Sequence, residues 1–405
     1  MVLFPLPVLA SDTPPRQQPA CQGDHCRAEP VQAQRWATPL TGTWSAGTGP
    51  GSTGDGGTVP AVGQAYVAVG GGAAVVGLGL DVTGYNLSSG KQLWQTTLDA
   101  PIGTAIISVR AWPDVITVGL LAPDGRSRTE AVLNATNGTQ LRRYPAAVFG
   151  GAVAASKSTT VIVGSTAVTS YNNATGGVRW RHTSAAGEAW QTDGQRLYMA
   201  ESASGYLGSA PVTALRVIDL RTGTQRSLSA PLGRPFSGTL ATAADGAVLF
   251  ASPDGVTAYS GSTGGVLWTE SRAVPEGTDP LTGLVDITLP TGALAEVDPL
   301  TGTVHAEVPP SVAAGGTGLY VVRNGVAFGL DGGANGTAWG YDMAKGQVTW
   351  TSPALPWPHF FSDLSGLGGS AAVAEDVVVV TTCARLASST GMCAAPKLVA
   401  FTVRP

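Results

Sequence analysis

Seven times the chain spells the same short turn, an Asn, Asp or Ser followed four positions later by Gly. The copies run from Asn86 to Gly90, Asn134 to Gly138, Asn172 to Gly176, Asp219 to Gly223, Ser260 to Gly264, Asp298 to Gly302 and Asp342 to Gly346. Their glycines lie 48, 38, 47, 41, 38 and 44 residues apart, so one supersecondary unit is used over and over. That repetition constrains the architecture before any chemistry is considered.

The spelling suits a tight connection between antiparallel strands. An Asn or Asp side chain accepts backbone N–H groups, and Gly takes positive φ without steric cost. Upstream of each turn lies a β-rich run such as Val82-Thr83-Gly84-Tyr85, Val256-Thr257-Ala258-Tyr259 or Ala338-Trp339-Gly340-Tyr341, whose alternate residues can face opposite sides of a sheet. Four residues after the Gly stands Trp94, Trp180, Trp268 or Trp350, and in the other copies Arg142, Ser227 or Ala306. A rigid aromatic at that offset reads as a wedge between neighbouring sheets. Two further apolar runs precede each turn, for example Ala65 to Val69 and Ala73 to Leu78. Four strands in a unit of about 43 residues point to a β-propeller blade.

The chain ends complete the count. Ala33 to Leu40, with Trp36, reads as a fourth strand that no turn precedes, and Lys397 to Val403 reads as a third strand that no turn follows. The two halves fit each other. The expected fold is therefore all-β, an eight-bladed propeller of four-stranded antiparallel blades whose last blade is closed by the N-terminal strand. The alternative is a seven-bladed ring with a stray N-terminal strand.

The turn and the Trp together resemble the tryptophan-docking repeat of PQQ-type propellers, a small residue, any residue, Asp or Asn, two residues, Thr or Ser, Gly, then Trp. Ala258 to Trp268 carries the pattern most fully and Gly340 to Trp350 comes next. The resemblance covers residues 33 to 405 and speaks for fold more than for function. It implies one of two classes: quinoprotein dehydrogenases that bind pyrroloquinoline quinone and calcium, or non-enzymatic members such as the lipoprotein scaffold of the bacterial outer-membrane barrel-assembly machinery.

Composition agrees with many short strands and tight turns, since charged residues are 12% of the chain and Gly numbers 55. A net charge of −4 with four Lys leaves no basic patch, so nucleic acid is not an expected partner. No apolar stretch reaches 18 residues, so no helix is expected to span a bilayer. Residues 1–32 form a separate tail. Its apolar start, Val2 to Ala10, reads either as the end of a signal peptide or membrane anchor whose beginning lies upstream, or as a disordered tip. Gln18-Pro19-Ala20 before Cys21 lacks the Leu of a bacterial lipobox.

The four cysteines form two local pairs, Cys21 with Cys26 and Cys383 with Cys393, as suits two short disulfide loops outside the cytoplasm. Zinc at Cys21, His25 and Cys26 competes with the first pair, but a fourth ligand is missing from the neighbourhood.

Absences bear on catalysis. Dehydrogenases of the resembled family carry two adjacent cysteines and a calcium site of Glu, Asn and Asp; no Cys-Cys pair occurs here, and many Asp and Asn residues belong to the turns. Neither PQQ nor calcium is expected. The sequence has no G-x-S-x-G, H-E-x-x-H, C-x-x-C or Walker loop. His25, His182, His305 and His359 are scattered over the tail and separate units. Five N-x-[ST] sequons, at Asn86, Asn134, Asn137, Asn173 and Asn335, follow mostly from the turn spelling.

Recognition is therefore expected on the longest departures from the repeat. One is Pro353 to Phe361, with Trp357, His359, Phe360 and Phe361. Another is the loop closed by Cys383 and Cys393, and Tyr206 in Ser204 to Gly208 joins the same face from across the ring. The competing reading is that the aromatics plug a blade junction. The expectation is an exported, bacterial, monomeric, non-enzymatic propeller that binds a protein or a cell-envelope component. A quinoprotein oxidoreductase with a divergent site and a sensor domain cut from a larger membrane protein are the alternatives.

Overall fold

The computed structural model describes residues 34–40, 65–147, 150–184, 189–202, 212–230, 235–279, 282–313, 319–323, 325–330, 335–352, 355–356, 371–374, 377–383 and 395–402. They form eight four-stranded antiparallel sheets arranged as the blades of a propeller. Blade 1 consists of Ala65–Gly70, Ala73–Leu78, Asp81–Asn86 and Gln92–Thr97, hydrogen-bonded in that order. Blades 2 to 7 repeat the scheme and begin at Ala105, Gly151, Trp190, Thr239, Val274 and Leu319. Blade 8 is composite: Ala371–Ala374, Val377–Cys383 and Pro396–Thr402 are completed by Gln34–Pro39. The ring is thus closed by the N-terminal strand, and the seven-bladed alternative falls.

Closure is apolar as well as hydrogen-bonded. One cluster joins Ala65, Val67, Val76 and Tyr85 of blade 1 to Val377, Val379, Leu398 and Ala400 of blade 8, with Trp36 beside them. Similar clusters fill the other seams. Because each sheet is covered on both faces by its neighbours, the second and third strands are buried almost throughout, as in Ala73–Leu78. The alternation expected along the third strand is therefore lost, while the outermost strand, such as Gln92–Thr97, stays largely exposed.

The turns obey the expected chemistry. Asn86 Oδ1 accepts the N–H groups of Ser88 and Ser89 at 3.1 and 3.0 Å, and Gly90 N donates to Asn86 O at 2.8 Å. All seven turn glycines have φ between 66 and 77°. One further copy escapes the sequence period. Asp279 to Gly283 has the same spelling, D-P-L-T-G, as Asp298 to Gly302, yet it joins the first and second strands of blade 6. Among the described residues no helix is long and apolar enough to cross a membrane.

Candidate functional site

Most residues with chemical potential are engaged between blades. The outermost strand of a blade carries a docking residue that reaches the turn of the next blade. Trp36, Trp94 and Trp268 donate their indole N–H to the carbonyls of Leu87, Ala135 and Pro299 at 2.9, 3.0 and 2.9 Å. Each acceptor is the residue after the Asn or Asp that opens the next turn. Two positions beyond the Trp, Thr38 and Thr96 donate to the carbonyls of Gly90 and Gly138, and His182 Nε2 lies 2.6 Å from the carbonyl of Gly223. His182 thereby has a structural place.

Register explains where Trp is absent. Trp36, Trp94, Trp180, Trp268 and Trp350 pair across the sheet with Ala400, Gly84, Ser170, Ala258 and Gly340, all small. In blades 2 and 4 the residue opposite is Val132 or Val217, and the docking residue is Arg142 or Arg226. Arg226, not the Ser227 expected from spacing, takes the position, because blade 4 lacks the bulge that the other blades insert before it. Its guanidinium donates to Gly261 O and Ser262 O at 2.8 and 3.1 Å, and that of Arg142 to Ala174 O at 2.5 Å. The turn carboxylates are engaged within their own turns. Backbone and hydroxyl hydrogen bonds from Thr222 hold Asp219 below the usual carboxylate range.

The residues expected to recognise a partner, Tyr206, Trp357, His359, Phe360 and Phe361, lie outside the described residues, as do Cys21, Cys26 and Cys393; Cys383 ends the second strand of blade 8. The described start of the aromatic loop, Leu355–Pro356, pairs with Asn335–Gly336 from the loop between the second and third strands of blade 7. Loops leaving a blade and loops between second and third strands do share one face.

Two clusters of buried polar groups leave little mark in the sequence. In the seam between blades 2 and 3, Arg128 pairs with Glu130 at 3.3 Å and donates to Ser108 Oγ at 3.1 Å, all three buried. Arg110, on the first strand of blade 2, donates to the carbonyl of Ala152 in blade 3 and lies 5.9 Å from the ring centroid of Trp190 in blade 4. Burial lowers the Arg110 guanidinium from its ordinary value, Glu130 opposes that shift, and Arg128 adds to it. In blade 6, Asp286 pairs across the sheet with Glu296, and both are buried, as is Asp279. Burial, then the Asp279 charge, pushes the Glu296 carboxyl up to about 7. The available signal was the i, i+2 spacing of Arg128 and Glu130 in a strand, which puts both on one face, and a lone Glu inside Leu294–Val297. Among the described residues no three His, Cys, Asp or Glu side chains form a set that could hold a metal ion.

The fold is an eight-bladed β-propeller, and its docked tryptophans resemble those of PQQ-type propellers. Residues 125–291 match the family model described as outer membrane protein assembly factor BamB, and the repeats resemble that protein's. A search of curated proteins returns no match. Among solved structures, the C-terminal WD40 domain of Sif2 is similar with a TM-score of 0.51 at 10% identity, over 84% of this chain and 96% of that one. Apo AztD from Citrobacter koseri gives 0.50 at 12%, over 73% and 87%. BamB from Moraxella catarrhalis gives 0.41 at 19%, over 65% and 79%.

Proposed function

We propose that this chain is a non-catalytic, extracytoplasmic scaffold that binds a protein or cell-envelope component through the loops on the face shared by Asn335–Gly336 and Leu355–Pro356. The observation that carries the reading is that residues which could supply a quinoprotein site are already engaged, the turn Asx side chains within their own turns and the tryptophans in holding blade to blade. The described residues are a poor fit to the cofactor pair of the dehydrogenases. The indole face of Trp190 is covered by the Arg110 guanidinium, and the buried carboxylates of blade 6 include Glu296, held largely protonated below about pH 7. The match to the BamB family model supports an envelope role.

Titration with PQQ and calcium tests the reading. No saturable binding is expected, whereas binding accompanied by dye-linked substrate oxidation would overturn it. Mass analysis without reductant should find Cys21 joined to Cys26 and Cys383 to Cys393; free thiols after oxidative export would remove the extracytoplasmic element. Alanine at Trp357, Phe360 and Phe361 should leave the fold intact and abolish partner capture, and collapse of the fold would make those residues structural.

A further inference from the structure

Blade 3 stands between blades 2 and 4, so a blade 2 side chain reaches a blade 4 ring only along the inner edge of blade 3, the channel side. Arg110 does this. Its guanidinium crosses the first strand of blade 3, hydrogen-bonds Ala152 O and lies over Trp190. The crossing is open because that strand, Gly151–Ala155, reads G-A-V-A-A and presents nothing longer than a Val. Gly151 itself is required, since a Cβ there would crowd Arg128 and Glu130.

Among the described residues here, two guanidiniums, Arg110 and Arg128, face one carboxylate, and Glu130 pairs with Arg128 at 3.3 Å. Arg110 makes no ion pair among the described residues; its partners are a neutral carbonyl and a ring. A guanidinium withdrawn from bulk water with most of its five donors uncommitted is suited to a planar oxyanion, which it can meet with two parallel hydrogen bonds. Arg110 remains partly exposed, as such a role requires.

We propose that Arg110, backed by Trp190, is a carboxylate-binding subsite on the channel wall of blades 2 to 4. Its ligand is a carboxylate group, carried either by a free dicarboxylate or by an acidic side chain of a peptide entering the channel. The subsite does not depend on the scaffold reading above, and that reading can fail while this one stands.

Calorimetric titration at low salt with succinate and with a capped tri-glutamate peptide distinguishes the two sources. Saturable binding of at least one probe is expected, weakened tenfold or more in Arg110→Gln and partly kept in Arg110→Lys. The tryptophan fluorescence change on binding should shrink in Trp190→Phe. Failure of both probes to saturate the wild-type protein, or equal affinity in Arg110→Gln, overturns the proposal. Should Arg110→Gln lose its fold by circular dichroism, phenylglyoxal labelling of wild-type Arg110, read by peptide mass, replaces it. Protection of Arg110 by the bound probe supports the subsite, and unchanged labelling overturns it.

Discussion

Trp94 stands directly across the sheet from Gly84, and its ring occupies the space that a side chain at Gly84 would need. The same ring covers Gly138 of the next blade's turn, where a Cβ would also collide with it. One residue thus sets the size of a neighbour within its own blade and of another in the next. Gly84→Val should cost about 1–3 kcal/mol by overpacking and Trp94→Ala about 3–5 kcal/mol by loss of a buried ring. The double variant should be more stable than the sum of the two by at least about 1 kcal/mol, because it re-creates the larger partner found opposite Arg142 and Arg226. Urea unfolding of the four proteins checks this, and strict additivity would refute the complementarity.

Blade 4 offers a sharper test of the docking position. Arg226→Met keeps the hydrocarbon stem and removes both hydrogen bonds to the next turn, so a loss of about 0.5–1.5 kcal/mol is expected. Ser227→Ala, at the position that spacing alone selects, should fall within about 0.5 kcal/mol of wild type. The reverse order would show that Ser227 and not Arg226 does the docking.

These cases show what the sequence carries. The turn spelling and the two half-blades at the chain ends predict the ring, because a tight turn needs Asx and Gly wherever it occurs. The missing bulge that leaves Ser227 off the docking register has no such mark, since a bulge is a property of two paired strands. Asp279 to Gly283 is hidden for a related reason. It lies 19 residues before the next copy, off the period, although its letters match. Arg110 and Trp190 are in different blades, and only the ring brings them together. The aromatic loop around Trp357 was legible as a departure from the repeat, and its neighbour Asn335–Gly336 became visible only through strand pairing.

Glu296 predicts a pH dependence of stability. Its carboxyl lies in the seam facing blade 7, opposite Asp286 and near Asp279, and its Oε1 has no hydrogen-bond partner among the described residues. The folded value is raised to about 7 from 4.5, so the folded chain holds this proton more tightly than the unfolded chain. The contribution is fully present below pH 4.5 and is lost as pH rises through about 7. Chemical denaturation from pH 5 to 8 should show stability falling across that window, on a background from the depressed turn carboxylates that acts only at lower pH. Glu296→Gln should flatten the fall. An unchanged slope in that variant would place the titration elsewhere.

The closing blade draws its third and fourth strands from opposite ends of the described chain, Pro396–Thr402 and Gln34–Pro39. The Trp350 ring of blade 7 stacks on Phe401 there, with centroids 5.6 Å apart and planes 14° from parallel. Gln34–Pro39 meanwhile pairs with Pro396–Thr402 and sends Trp36 onto blade 1, so one strand supplies both the outer edge of blade 8 and its link to the next blade. Deleting residues through Leu40 should bare the edge of Pro396–Thr402, lower the thermal midpoint and promote aggregation. A permuted chain that carries residues 34–40 after Val403, joined through an Asn-x-x-x-Gly turn, should recover the midpoint and monodispersity. If the deleted chain is as stable as the intact one, the strand does not close the ring. If the permuted chain folds no better than the deleted one, closure depends on entry from the N-terminal side and not on the strand pairing alone.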